Sequence, residues 1–179
     1  MPRYIAFLRA INVGGHVVSM TALRRHFEEL DCSEVETVIA SGNVAFGSPS
    51  RSAAVLEKRI GAHLEARLGY VVATFLRTPE ELASIAAHRP FAKSECERPG
   101  HSLFVAFHGH AADAASRRRV LGLAGDFDDF KIRGREIYWL CRGRASDSKV
   151  YGGGLEKALG QPATVRNVTT VRRIAEKYA

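Results

Sequence analysis

The stretch YIAFLRAINVGGHVVSMTALRRHFEEL, residues 4–30, places a buried strand, a polar loop and an amphipathic helix in succession. The run YIAFLRA predicts the strand, and Ser19 is positioned to cap the helix that follows. One face of that helix collects the apolar residues Met20, Leu23, Phe27 and Leu30. The loop carries an arginine, an asparagine and two adjacent glycines, which is more than a simple strand-to-helix connection requires.

The rest of the first half continues this alternation of strands and helices. EVETVIA and NVAFG predict two strands, and the SGN between them predicts the turn of a β-hairpin. AAVLEKRIGAHLEARL, residues 53–68, predicts a helix that ends at Gly69, and YVVATFLR predicts a further strand. The first half therefore has the order strand, helix, strand, strand, helix, strand.

The second half repeats that order after a polar loop. It contains a strand SLFVAFH, a helix around DAASRRRVLGLA, strands near FDDFKI and at EIYWLC, a helix around GLEKALG, a short strand ATVR and a closing helix. We predict an α+β fold of two tandem ferredoxin-like (βαββαβ) subdomains with antiparallel sheets, over residues 1–78 and 101–179. Residues 79–100 form a linking helix and loop, and Thr78, Pro79 and Glu81 mark the start of that helix.

The net charge of +7 is concentrated in the second half. Residues 1–90 hold 10 Lys and Arg against 9 Asp and Glu, a net of +1, whereas residues 91–179 hold 16 against 10, a net of +6. Such a surface attracts polyanions. It indicates either a solvated basic face or weak, salt-sensitive binding of nucleic acid.

The sequence lacks the motifs that are typical of several classes of function. No stretch is long and apolar enough for a membrane span or a signal peptide, which predicts a cytoplasmic protein. The three cysteines have no CxxC pairing and predict reduced thiols. No GxxxxGK[ST], GxGxxG or GxSxG motif occurs, and His101, His108 and His110 are interpreted as surface histidines. We therefore predict no cofactor and no metal, and leave open whether the protein is an enzyme.

The polar loop after the first strand is the predicted site. In a sheet of order 4-1-3-2, the end of strand 1 and the hairpin between strands 2 and 3 lie on the same edge. The residues gathered there are Arg9, Asn12, Gly14, Gly15, Ser41 and Asn43. They predict a site for a small anionic ligand, a phosphate or carboxylate, with Arg9 as the clamp and the glycines allowing close backbone approach. The alternative is that both asparagines only satisfy the backbone groups of their turns.

A possible second site follows from the other half. The ends of its strands 3 and 4 gather Ser146, Ser148, Lys149, Arg166 and Asn167. Nucleic-acid binding through this basic half is an alternative function, and GHSLFVAF resembles part of an RNA-recognition signature. Its position on a first strand that is apolar on both faces argues against base stacking. A structural or protein-interaction module without a ligand is a third possibility.

Three separated stretches carry a resemblance to a known family. FLRAINVGGHVVSMTALR, VIASGNVAF and LEKALGQPATVRNVTTVRRIAE resemble the bacterial family called domain of unknown function 1697. The positions that match its pattern are Arg9, Asn12, Gly14, Gly15, Ser41, Gly42, Asn43, Arg166 and Asn167. Ala10 and Val168 depart from it, since the family usually has a glycine and a tryptophan-like aromatic there. The resemblance implies a cytosolic protein of two ferredoxin-like subdomains and implies no established activity.

Overall fold

The chain divides into two compact units. In a computed structural model, residues 1–39 and 42–179 are described. The first unit comprises Met1–Ile85 together with Arg173–Ala179, and the second comprises Ala86–Arg172. The end of the C-terminal helix thus groups with the first unit, whereas the sequence assigned all of residues 101–179 to the second subdomain.

The first unit is built on a four-stranded antiparallel sheet. Its elements are, in chain order, β1 (Arg3–Leu8), α1 (Met20–Glu28), β2 (Ser33–Thr37), β3 (Asn43–Gly47), α2 (Ala53–Leu68) and β4 (Thr74–Arg77), after which α3 (Pro79–Ala87) begins. The strands lie in the order β2-β3-β1-β4, and each neighbouring pair is antiparallel. The first strand therefore occupies a central position, as the order 4-1-3-2 requires.

The start and stop signals in the sequence fix the helix ends. The Ser19 hydroxyl accepts a hydrogen bond from the Ala22 amide at 3.0 Å, which caps α1 as predicted. Gly69 ends α2 in the left-handed conformation, with φ of 80°. Thr78 and Glu81 form a reciprocal capping box at the start of α3, with N···O distances of 2.8 and 3.2 Å.

One face of the first sheet carries α1 and α2. Phe27 of α1 and Ile60 of α2 are fully buried beside Phe46 of β3, and the rings of Phe27 and Phe46 are 5.1 Å apart. These positions recur at helical spacing on the helices and alternate along the strands. The hydrophobic pattern of the sequence therefore corresponds directly to this core.

The second unit repeats this plan with shorter helices. Its elements are α4 (Lys93–Cys96), β5 (Ser102–His108), α5 (Ala114–Leu121), β6 (Asp128–Arg133), β7 (Glu136–Cys141), α6 (Gly154–Leu159), β8 (Ala163–Asn167) and the start of α7 (Val168–Tyr178), the helix whose residues from Arg173 onward belong to the first unit. The strands lie in the order β6-β7-β5-β8, again antiparallel throughout. Ala106 lies on one face of the central strand, and Val105 and Phe107 lie on the other, and all three are fully buried. Burial on both faces is what the apolar run SLFVAFH predicted.

The strand registers show a structural repeat that is not evident from the amino-acid sequence. YIAF at residues 4–7 and FVAF at residues 104–107 occupy equivalent places on the central strands. Ile5 pairs with Arg77 of β4, and the equivalent Val105 pairs with Arg166 of β8. Each fourth strand therefore carries an arginine at the same position of its sheet.

Several local predictions differ from the structure. His108, interpreted above as a surface histidine, is fully buried at the end of β5. The strand β1 ends at Leu8, because Ala10 has a φ of 63° and leaves the extended conformation. Leu8 is also the last residue to pair with β4, at Thr74, so β4 begins there rather than at residue 70. The polar loop before β5 contains α4, a single turn with no hydrophobic periodicity from which to predict it.

The C-terminal residues of the first unit are attached to β2 through Glu36. Tyr178 donates a hydrogen bond from Oη to Glu36 Oε2 at 2.7 Å, and Lys177 forms an ion pair with the same carboxylate. The hydrogen bonds from Lys177 and Tyr178 lower the pKa of Glu36 below its ordinary value of 4.5. The ionised form is therefore preferred more strongly in the folded state than in the unfolded chain.

This attachment predicts a small loss of stability in acid. Because the pKa of Glu36 is lowered on folding, its contribution is complete above pH 4.5 and disappears as the pH falls through the folded value. We expect Glu36→Gln to reduce the free energy of unfolding near neutral pH by less than about 1 kcal/mol, since the pair is solvent-exposed. Urea unfolding of both proteins between pH 7 and 3 measures this difference, which should narrow towards pH 3. A difference that widens in acid would contradict the assignment.

Candidate functional site

The predicted site after β1 lies beside the turn between β2 and β3. The Leu8 amide donates to the Gly42 carbonyl at 2.7 Å, and the Arg9 amide donates to the Ala73 carbonyl at 2.9 Å. Strand order alone accounts for this adjacency. Arg9 is half-buried, and Ser41 lies outside the described residues.

Asn12 stabilises the loop that contains it. Its φ is 57°, a left-handed conformation that asparagine tolerates better than most residues. The side-chain oxygen of Asn12 accepts a hydrogen bond from the Val18 amide at 2.6 Å. Gly14 and Gly15 follow with φ values of 60° and 84°, both are exposed, and added Cβ atoms would meet nothing within 4 Å. The glycines are therefore explained by backbone conformation rather than by a close approach within the protein.

Asn43 is buried and bonded to the backbone of its own hairpin. It is 1% exposed, and its Nδ2 donates to the carbonyls of Val38 and Ile39 at 3.1 and 3.0 Å. Both amide hydrogens are thus used by the protein. Asn12 and Asn43 have the contacts that the turn interpretation predicted for them.

The five residues of the possible second site do not share one environment. Ser148 is buried and donates to Asp128 Oδ2 at 2.8 Å, whereas Ser146 and Lys149 are exposed. Arg166 and Asn167 are neighbours in β8, and consecutive residues of a strand point to opposite faces of the sheet.

Two hydrogen bonds of Arg166 lie within its own strand. Its Nη1 donates to Thr164 Oγ1 at 2.7 Å and to the Val165 carbonyl at 2.9 Å. Burial lowers the pKa of Arg166 to about 10, so the guanidinium stays charged at neutral pH. These two hydrogen bonds hold the guanidinium against β8.

A cleft in the second unit brings together side chains that the sequence analysis did not combine. One cavity of about 430 Å³ is lined by Arg89, Pro90, Phe91, Lys93, Cys96, Glu97, Leu103 and Arg172. A second cavity of about 230 Å³ is lined by Cys96, Glu97, His101, Ser102, Leu103, Asn167, Val168, Thr169 and Arg172. Four residues line both cavities, so they are parts of one depression, which we call the basic cleft.

Arg172 lies where the two cavities of the basic cleft meet. It belongs to α7 and is half-buried, and its Nε is shielded from solvent without a hydrogen-bond partner in the described part of the chain. Arg89 and Lys93 add two further positive charges to the lining, against the single acid Glu97. Lys93 Nζ is 3.7 Å from Glu97 Oε1, so this acid already has a cationic neighbour.

The start of α7 forms another wall of the basic cleft. Asn167 Oδ1 accepts a hydrogen bond from the Thr169 amide at 2.9 Å, which caps this end of the helix. Amide groups at a helix N-terminus carry partial positive charge. The cap leaves the dipole in place, so this wall adds to the positive potential of the cleft.

His101 is held in one orientation at the edge of the cleft. Its Nδ1 is 2.7 Å from the Glu95 carbonyl. A carbonyl only accepts, so Nδ1 carries the hydrogen and Nε2 is the acceptor of the neutral ring. Glu95 in turn bonds through its side chain to Arg142 at 3.2 Å, and that hydrogen bond lowers the pKa of Glu95. The wall formed by α4 is therefore connected to the end of β7.

A third cavity, which is apolar, lies on the helix-bearing face of the sheet in the second unit. It measures about 340 Å³ and is bordered by Phe104, Trp139, Tyr151 and Val165. The rings of Phe104 and Trp139 stack at 4.8 Å. The helix α6 has 6 residues where its counterpart α2 has 16, which leaves part of this face uncovered.

The thiols of this unit show no sign of activation. Burial raises the pKa values of Cys96 and Cys141 above 9.0. Cys141 lies in the hydrophobic cluster with Ile137 and Trp139, as its alternation in β7 predicted. A raised pKa keeps a thiol protonated and unreactive at neutral pH.

Comparison with known proteins identifies the family. The family described as "Protein of unknown function (DUF1697)" matches residues 1–138. This protein belongs to that family. The DUF1697 match covers the β1 loop, the β2–β3 hairpin and α4, and it ends before Asn167 and Arg172. The resemblance expected from the N-terminal stretches of the sequence is confirmed.

A solved structure supports the fold. The conserved bacterial protein SP0830 from Streptococcus pneumoniae is similar over 99% of both chains, with a TM-score of 0.74 and 21% sequence identity. At this identity the similarity establishes the architecture alone. No curated protein matches this DUF1697 chain significantly. Within residues 1–39 and 42–179, no helix is long and apolar enough to cross a membrane.

Proposed function

We propose that this protein binds a small anionic molecule, a phosphate or carboxylate compound, in the basic cleft of its second unit. The observation that carries this proposal is Arg172, which borders both cavities and whose buried Nε has no partner among the described residues. An unsatisfied buried donor costs about 1–3 kcal/mol. An oxyanion satisfies a guanidinium with two parallel hydrogen bonds, which is the strongest pairing available to it.

The lining of the cleft supports an anion in preference to a neutral ligand. Arg89, Lys93 and Arg172 supply three positive charges against one negative charge. The positive end of α7 lies in the same wall. His101 adds an Nε2 that accepts when the ring is neutral and donates when it is protonated.

Both units are assigned, as part of this proposal, to the ferredoxin-like class. The element order βαββαβ and the strand orders β2-β3-β1-β4 and β6-β7-β5-β8 support the assignment. Such folds accommodate many unrelated activities. The proposed function therefore depends on the residues of the cleft and not on the fold.

The proposal predicts that Arg172→Gln weakens anion binding by about 10-fold to 100-fold, the equivalent of one charge-assisted hydrogen bond. Calorimetric titration with inorganic phosphate, pyrophosphate and citrate at low ionic strength measures the affinity. Arg117→Gln is the matched control, since it removes the same charge from an exposed position on α5. Equal losses in the two variants would contradict a specific site.

The same titrations distinguish the other predicted modes of binding. Arg9→Gln tests the loop after β1, and it should leave the affinity unchanged if the basic cleft is the site. A short duplex DNA tests the basic surface of the second half. Binding that is lost between about 50 and 200 mM salt and is weakened equally by Arg117→Gln would be nonspecific attraction to phosphates.

A further inference from the structure

Two histidines and a glutamate converge in the first unit, away from the basic cleft. His26 lies in the last turn of α1, Glu29 follows at the end of that helix, and His63 lies in α2. Glu29 Oε2 is 3.7 Å from His26 Nδ1 and 3.1 Å from His63 Nε2. One ligand atom from each of the three side chains lies within 4.8 Å of the other two.

Two imidazole nitrogens of this cluster are buried. His26 Nδ1 and His63 Nε2 are both shielded from solvent, and neither has a hydrogen-bond partner among the described residues. The distance of 3.1 Å from His63 to Glu29 lies within ion-pair range but does not meet hydrogen-bond geometry. Each side chain is 16% exposed, so water has little access to these atoms. Buried polar atoms without partners are rare in folded proteins and require an explanation.

A shared cation explains this arrangement. Ligands of one metal ion point towards a common centre rather than towards one another. In a tetrahedral zinc site with bonds of about 2.0–2.1 Å, neighbouring ligand atoms are about 3.3 Å apart. The separations of 3.1 and 3.7 Å lie on either side of that value. Imidazole nitrogens and a carboxylate are also ligands that Zn²⁺ prefers.

We propose that the first unit binds a Zn²⁺ ion through His26 Nδ1, His63 Nε2 and the carboxylate of Glu29. Three protein ligands leave a fourth position for water or for a ligand from solution. The ion joins the end of α1 to the middle of α2, the two helices that cover one face of the first sheet. It satisfies both orphaned nitrogens and compensates the negative charge of Glu29.

Arg67 also contacts Glu29 and provides a further test of the proposal. Its Nη2 lies 3.0 Å from the same Glu29 oxygen, and its side chain is 54% exposed. Arg67 thus supplies the positive charge beside Glu29 when no ion is present, and its exposure lets it move into solvent when Zn²⁺ binds. The guanidinium and the ion compete for one carboxylate. Removal of Arg67 should therefore strengthen zinc binding, which no purely structural role of the cluster predicts.

Titration of the purified full-length protein with Zn²⁺ against a chelating indicator tests this proposal. We expect one ion per chain. Each of His63→Ala and His26→Ala should lose about 100-fold or more in affinity, because removing even an outer partner of a metal ligand costs 10–100-fold. Arg67→Gln should bind several-fold more tightly than the parent. The exposed residue His110 provides the matched control, and His110→Ala should bind as the parent does.

Metal coordination and folding are measured separately. Co²⁺ in place of Zn²⁺ reports imidazole coordination by visible absorption, and circular dichroism without metal confirms that each variant is folded. If either histidine variant is unfolded, the Arg67→Gln comparison still decides the question in a folded protein. No Zn²⁺ binding by the parent, equal loss in His110→Ala, or weaker binding by Arg67→Gln would each overturn the proposal.

Discussion

Replacing Asp128 by alanine should destabilise the protein by about 3–4 kcal/mol, the cost of leaving two buried donors without an acceptor. Asp128 is buried at the start of β6. Its Oδ1 accepts from Trp139 Nε1 at 2.7 Å, and its Oδ2 accepts from Ser148 Oγ at 2.8 Å. The Ser148 oxygen accepts in turn from the Val150 amide at 3.1 Å. One carboxylate thus connects β6, β7 and the segment before α6.

Chemical denaturation of Asp128→Ala beside the parent measures the loss. Trp139 is the single tryptophan of the chain, so its fluorescence reports the same site directly. Asp126→Ala is the matched control, because Asp126 is exposed on the same segment and its backbone carbonyl, which the substitution keeps, accepts a hydrogen bond from Arg142. A cost below about 1 kcal/mol for Asp128→Ala, or an equal cost in the control, would show that the network contributes little.

Ser148 illustrates which functional predictions the sequence could not support. As a serine in a polar, basic segment it has the character of a binding residue. In the structure its hydroxyl is used by Asp128, which lies 20 residues away in sequence. Nothing in the local pattern distinguishes a serine that binds a ligand from one that binds a buried carboxylate.

The fold was far more predictable than the site. The helix α2 extends over Ala53–Leu68 as predicted, because its apolar spacing indicates a helix and Gly69 indicates where it ends. The element order also led to the correct strand order in both sheets. These signals are local, with periods of two or about four residues, and they can be recognised without knowledge of the tertiary structure.

The basic cleft and the histidine cluster depend on distant residues instead. Arg172 is separated by more than 70 residues from Lys93 and His101, and no local pattern in the sequence connects it to them. His26 and His63 lie on two different helices with no recognisable spacing. The cluster could have been predicted only from the packing of α1 and α2 on one face of the sheet, which brings both histidines near the contact between the helices.

Replacing Asn43 by alanine should reduce the free energy of unfolding by about 2–4 kcal/mol, because one buried and one half-buried carbonyl lose their donors at once. These are the carbonyls of Val38 and Ile39, and Asn43 begins the central strand β3 directly opposite Phe7. Ile39 has a φ of 45°, a conformation unfavourable for a β-branched residue, so its hairpin depends on such external hydrogen bonds.

Asn43→Asp separates hydrogen bonding from size. Aspartate has nearly the same shape, but it replaces the donating NH₂ with an acceptor that faces two carbonyl oxygens, so its cost should equal or exceed that of alanine. Urea unfolding of both variants measures these costs, with and without inorganic phosphate. If Asn43 instead belongs to an anion site, its removal should change stability by less than about 1 kcal/mol and abolish stabilisation by phosphate. Large destabilisation with the effect of phosphate retained would assign Asn43 to the hairpin and leave Arg172 as the residue that recognises the anion.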